Sequence, residues 1–183
     1  MRYLREVADP IDVHRQLLEA WRKVMDLVGP GPVEEHFIDA EAAVSGLSAS
    51  GPWLDLGSGA GFPGIALAVY WPEARVTMVE RRQKRCAFLA EVIARAEIQT
   101  ATLYEGDAAA LPRGVWNGVI SRAYKPPPEF LAEAATLLVP GGLAVVLTAG
   151  DEPSPGPAFE REGAVRYTVL GKPRASVRYR LKA

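Results

Sequence analysis

Apolar residues recur at two different spacings along this chain, and the change from one to the other divides it. From Pro10 onward, Ile11, Leu17, Leu18, Trp21, Val24, Met25 and Val28 follow the three-and-four spacing of one helix face. Asp9 stands where an N-cap belongs, Pro10 suits the first helical position, and Gly29-Pro30 stops the run. A second helix is predicted over residues 33–47, with Phe37, Ile38, Val44 and Leu47 inward. From Trp53 short apolar runs alternate with helical stretches. Strands are predicted at 52–56, 75–80, 100–104, 116–124 and 143–150, and helices at 62–71, 81–96 and 127–138. Phe88, Leu89, Val92 and Ile93 face inward from the second of these helices. After residue 150 the rhythm breaks: "DEPSPGP" (151–157) reads as a loop. Residues 163–170 and 175–183 read as an antiparallel hairpin joined by a tight turn at "GKPR".

Strands that alternate with helices argue for an α/β fold, a mostly parallel seven-stranded sheet ending in a C-terminal antiparallel hairpin. Residues 1–50 are then an N-terminal helical extension packed on a core of residues 51–183, one compact unit overall. This is the layout of the class I methyltransferase (Rossmann-like) fold. Ligands of such sheets sit at the carboxyl ends of the strands, near the switch point between the first and fourth. That gathers the loops after Leu56, Val79, Tyr104 and Ile120 in one cleft.

Composition narrows the partners. The chain has 183 residues, 49% of them hydrophobic and 23% charged, as in ordinary globular domains. Its formal net charge is -1, so it is no polycation with a general affinity for phosphate backbones. The charge is uneven, however: no acidic residue follows Glu162, while Arg166, Lys172, Arg174, Arg178, Arg180 and Lys182 do. A solvated hairpin face and a phosphate-facing patch are both open on that pattern. The single Cys86 cannot form an internal disulfide and sits among apolar residues, as a core position would. "MRYLREVADP" holds no apolar leader, and no stretch approaches a membrane span. A cytoplasmic monomer with no metal site is expected.

The chemistry concentrates in "DLGSGAGFPG" (55–64), four glycines directly after the first strand. "GAGFPG" fits the dinucleotide pattern G-x-G-x-x-G, and Glu80 stands about where a ribose-binding acid belongs. Asp55 argues the other way, because a carboxylate there repels a pyrophosphate and favours a cation. S-adenosylmethionine (AdoMet) carries a sulfonium and an ammonium. "LVPGGLAVV" (138–146) resembles the turn before the fifth strand of class I methyltransferases, and little chain remains for a dehydrogenase's second domain. The expected cofactor is therefore AdoMet, cradled by Asp55, Gly57, Ser58, Gly59, Gly61 and Phe62. Glu80 can accept the ribose hydroxyls. Asp107 can accept the adenine amino group, with Ala108 and Ala109 along the ring; a helix N-cap is the other use for Asp107. Phe62 either leans on the cofactor or fills the core.

"DLGSGAGFPGIALA", "KRCAFL" and "GVISRA" allow a family to be named. Over residues 17–150 the chain resembles the RsmG/GidB family, the small-subunit ribosomal RNA guanine-N7 methyltransferases. Its most specific pieces are Pro63-Gly64, Lys84-Arg85 before Phe88-Leu89, and Ser121-Arg122-Ala123. The resemblance implies cofactor contacts at Gly57, Phe62, Ala108, Ala109 and Arg122, and 16S rRNA or the small ribosomal subunit as partner. His36-x-x-Asp39 is similar to the family's His-x-x-Asp-Ser element, although Ala40 replaces the serine. Asp107-Ala108-Ala109 stands for its Arg-x-Glu, Met25-Asp26-Leu27 for its Asn-Leu-Thr, and Ala149 for a lysine.

Guanine N7 has an in-plane lone pair, so its methylation needs alignment and electrostatics but no general base. Arg122 is the candidate for positioning, against the cofactor or against guanine O6, with a strand-end salt bridge as the plainer use. His36, Asp39 and Lys125 are the other substrate candidates, His36 as a structural hydrogen-bonding residue before a base. Lys125 stands where an amino-group methyltransferase needs an acceptor before its prolines, and it has only donors. Methyl transfer to a small molecule or protein, and a non-catalytic AdoMet- or RNA-binding relative, are the alternatives.

Overall fold

A computed structural model describes residues 8–183. The expectation of no apolar leader falls in part on residues 1–7, outside the described residues. Asp9 caps α1 (Pro10–Trp21), its Oδ1 accepting the Ile11 N–H at 2.8 Å. The helix stops at Trp21, well short of Val28. There the indole N–H donates to Glu91 at 2.8 Å and the chain turns away, leaving Val24 82% exposed. The apolar spacing continues past the helix because Leu27 is buried from the loop that follows. In α2 (Glu34–Val44) the buried row is Phe37, Ala40 and Val44. Ile38 lies one step off that row and is exposed, contrary to expectation.

The core elements follow as β1 (Gly51–Leu56), α3 (Gly64–Tyr70), β2 (Ala74–Glu80), α4 (Gln83–Arg95), β3 (Ala101–Glu105), β4 (Trp116–Arg122), α5 (Pro127–Leu137), β5 (Leu138–Thr148), β6 (Phe159–Val169) and β7 (Lys172–Leu181). The sheet runs β3-β2-β1-β4-β5-β7-β6, parallel through β5 and antiparallel in the last two strands. The order reverses between β1 and β4, where the switch point was expected. The ladder of β5 with β4 becomes regular at Gly118 opposite Leu143, the start predicted for the fifth strand. Residues 138–142, expected as helix end and turn, already belong to β5 with a register shift. The hairpin turn also moves. Leu170 and Gly171, at φ 45° and 79°, make the two-residue turn, and residues 172–174 of "GKPR" belong to β7.

Alternate residues of the central strands feed two cores, as strands buried on both faces must. Trp53, Met78, Ile120 and Val145 join α1, α2, α3 and α4 on one face. Leu54, Leu56, Val119 and Val146 meet α5 and the inner side of the hairpin on the other. The α5 side is thinly covered, and the four-helix side holds the glycine-rich loop from behind.

Candidate active site

The loop after β1 is built by its own neighbours. Gly57, Gly59 and Gly61 have φ of 71°, 57° and 90°, a region where a side chain is strained. A Cβ on Gly57 would lie 2.6 Å from Tyr124, and one on Gly64 would lie 2.4 Å from Asp55 Oδ2. A Cβ on Gly61 would lie 2.9 Å from Ile65, so three of the four bare Cα positions serve close packing against the protein itself. From behind, His14 Nε2–H donates to the Ala60 carbonyl at 2.8 Å. His14 sits among Phe37, Phe62 and Phe88, and burial lowers its pKa to about 4. The sequence reading passed over His14, yet its place on the row of Leu17 and Leu18 was the available signal. Phe62 is 4% exposed and fills this core, with the Arg122 guanidinium 4.8 Å over its ring.

Asp55 is fully buried, and neither carboxylate oxygen has a hydrogen-bond partner. Burial raises its pKa to about 6, against the opposing pull of the nearby Ser58 hydroxyl and Gly64 N–H. Glu80 serves as a clasp: Oε1 accepts the N–H groups of Arg81 (2.9 Å) and Arg82 (2.8 Å), and Oε2 that of Gly59 at 3.1 Å. Asp107 Oδ1 accepts the Ala109 N–H at 2.9 Å, which is the N-cap use foreseen for it. Ser58 Oγ donates to the Asp55 carbonyl at 2.9 Å. Cys86 is buried, its thiol donating to the Glu80 carbonyl.

Two cavities open at the carboxyl ends of the parallel strands. One, of about 350 Å³, is walled by Gly57, Glu80, Asp107, Ala108 and Tyr124. Of the predicted cofactor residues it gathers Gly57, Glu80, Asp107 and Ala108. Asp55, Ser58, Gly59, Gly61, Phe62, Ala109 and Arg122 are not on its wall, so the buried Asp55 can act there only through its charge. The other, of about 700 Å³, brings together the four substrate candidates His36, Asp39, Arg122 and Lys125. Ala123 and Lys125 line both. Ala123 has φ 56°, a left-handed backbone that ends β4 and bends the chain between the cavities.

In the larger cavity Arg122 Nη1 donates to Asp39 Oδ2 at 2.9 Å, so the salt-bridge use of Arg122 is present. Tyr167, which the sequence did not single out, donates its hydroxyl to Asp39 Oδ1 at 2.8 Å. Burial and the Asp39 charge raise the Tyr167 pKa, keeping it a neutral donor. His36 has a lowered pKa from burial and the Arg122 charge, which favours neutral imidazole. Lys125 Nζ pairs with Glu133 at 3.0 Å. The six tail cations do not form one patch. Arg166 pairs with Glu152, Lys172 with Glu35, Arg174 with Asp39 and Arg180 with Glu162. Arg178 and Lys182 donate to backbone carbonyls.

Comparison with known proteins places these features. The GidB family model, described as rRNA small subunit methyltransferase G, matches residues 11–154. Ribosomal RNA small subunit methyltransferase G of Hyphomonas neptunium is 34% identical over 145 residues, covering 77% of this chain and 70% of that protein. The protein of the same name from Nitratidesulfovibrio vulgaris is 35% identical over 176 residues, covering 90% and 79%. Among solved structures, the O-methyltransferase TomG of Streptomyces achromogenes in complex with SAM superposes with a TM-score of 0.65 at 17% identity. That match covers 94% of this chain and 90% of TomG, a likeness of fold.

Proposed function

Since the chain belongs to the GidB family of rRNA small subunit methyltransferases, we propose that it methylates N7 of a guanine in 16S rRNA with AdoMet. The observation that carries this reading is the span of the family match, residues 11–154, which contains every candidate cofactor and substrate residue. The residues present fit the cofactor. Two unpartnered carboxylate oxygens buried at Asp55 favour positive charge near the loop. Glu80 keeps lone pairs on Oε2 for a ribose hydroxyl after accepting one N–H there. Bound in the smaller cavity, AdoMet supplies a methyl group on a sulfonium.

Ala123 and Lys125 then set the meeting point of donor and acceptor, being shared by both cavities. Arg122 commits Nη1 to Asp39 and retains further N–H groups for guanine O6. Transfer of that methyl group to N7 would leave the positive charge on the purine, on the side of the larger cavity where Asp39 lies. No proton moves, so the neutral His36 imidazole suffices and the Asp39 carboxylate offsets the cationic product. Labelled AdoMet and small-subunit RNA lacking the modification test this reading. The expected product is a labelled position that becomes aniline-sensitive after borohydride reduction, as N7-methylguanosine does. AdoMet binding with no label on RNA or on assembled subunits overturns it. A second reading, methyl transfer to a small molecule or protein, draws on the internally paired tail cations. It requires turnover without RNA.

A further inference from the structure

Among the described residues most cations are already matched, and apart from the scattered Lys23 and Arg75 the unmatched ones cluster in one place. Arg81, Arg82 and Lys84 are exposed, and among the described residues their side chains make no ion pair or hydrogen bond. Arg85 makes one long contact, 3.4 Å to the Asp26 carbonyl. The first turn of α4 contains no acidic residue and its N-cap, Arg82, makes no side-chain cap bond. Four cations thus crowd the positive end of a helix dipole, an arrangement that costs stability unless an anion arrives. The nearest carboxylate, Glu80, is held by three backbone N–H groups.

These cations also lie beside the chemistry. Arg81, Arg82 and Arg85 form part of the wall of the smaller cavity. AdoMet cannot neutralise them, because it brings one carboxylate against two cationic centres of its own. We propose that Arg81, Arg82 and Lys84, with Arg85 beside them, are a docking face for the sugar-phosphate backbone of RNA flanking the target nucleotide. A polyanion with regularly repeated charges satisfies several exposed cations at once, and release of its counterions drives the association. The near-neutral chain then needs no general basic surface, since its unpaired charge is concentrated at the rim of the methyl-donor cavity. This inference rests on the RNA reading proposed above.

The test compares the full-length protein with the triple variant Arg81→Ser/Arg82→Ser/Lys84→Ser and with Arg75→Ser. Arg75 is an exposed cation at the start of β2, the end of the strand away from both cavities. Affinity for a small-subunit RNA transcript is measured between 50 and 200 mM KCl, AdoMet affinity of the wild type by calorimetry, and folding of each variant by its thermal unfolding midpoint. At about 0.7–0.9 in slope per phosphate contact, the triple variant is expected to lose about 2 from the slope of log K against log salt. Its RNA affinity at low salt should fall at least about 30-fold on the same account, with methylation KM rising in parallel. The thermal unfolding midpoint should stay at the wild-type value, showing the variant folded, and Arg81→Lys/Arg82→Lys should keep the wild-type slope because lysine makes the same phosphate contact.

An unchanged slope in the triple variant overturns the docking face while leaving the methyltransferase reading intact. So does an equal loss in Arg75→Ser, or displacement of RNA by polyglutamate as readily as by competitor RNA. If the wild-type protein binds AdoMet but no RNA even at 50 mM KCl, both the reading and the docking face fall.

Discussion

At the scale of single residues, two buried ionisable groups flank the glycine loop with opposite pH behaviour. His14 has its pKa lowered to about 4, so its contribution to stability is present above about 6.5 and lost as pH falls toward 4. Asp55 has its pKa raised to about 6, so its ionisation destabilises the fold above pH 6 and that penalty disappears toward pH 4. Each shift is worth on the order of 3 kcal/mol, and they oppose each other over the same window. Asp55→Asn should therefore lose stability more steeply than the wild type between pH 6 and pH 4, as urea unfolding at each pH will show. A parallel loss in the two proteins sinks this account. Because AdoMet brings positive charge toward Asp55, its affinity should rise as pH increases through about 6 and level off above. In Asp55→Asn that dependence should vanish in calorimetry. Asp39→Asn tests the other cavity: with the Arg122 pair gone, methyl-transfer kcat should fall about tenfold or more, while AdoMet affinity changes little. The residue types at Asp55, Glu80 and Asp107 were legible in the sequence as groups near the strand ends. Their partners were not, because whether a carboxylate meets a ligand or a backbone N–H depends on loop geometry that no spacing encodes.

At the scale of elements, caps and periodicity carried the reading and tertiary contacts limited it. Asp9-Pro10 announced α1 correctly, while its end at Trp21 is fixed by a hydrogen bond to Glu91, 70 residues away. Ile38 matched the helical pattern and still faces outward, since α2 turns Phe37 and Ala40 toward the loop. Tyr167 alternates in β6 like any strand residue, and nothing local tells that its hydroxyl reaches Asp39. The β1–β4 seam gives a sharp test. Gly118 lies opposite Trp53, and a Cβ there would come within 2.3 Å of the indole. Gly118→Ala should cost about 1–3 kcal/mol or more by overpacking, read as a lowered unfolding midpoint. An unchanged midpoint would mean that the seam can shift to make room.

At the scale of the whole molecule, the parallel α/β core and its antiparallel C-terminal hairpin were readable from the βα rhythm, and the switch point between the first and fourth strands followed from the layout that rhythm resembles. AdoMet at about 100 times its Kd should raise the unfolding free energy by about 2.7 kcal/mol, visible as a higher Tm, with no such effect from NAD. A stabilisation by NAD of the same size would reverse the choice made from Asp55. Among the described residues no helix is long and apolar enough to cross a membrane. The sheet order has one more consequence. β7 sits between β5 and β6, so β6 has no strand to pair with until β7 inserts. A nascent chain ending before Lys172 can form the parallel part of the sheet and the wall of the smaller cavity. It cannot dock β6, and Asp39 lacks the Tyr167 hydroxyl held there and the Arg174 charge. Insertion of β7 thereby becomes the step on which assembly of the larger cavity waits, and a chain cut before Lys172 would keep the wall of the smaller cavity without a finished larger one.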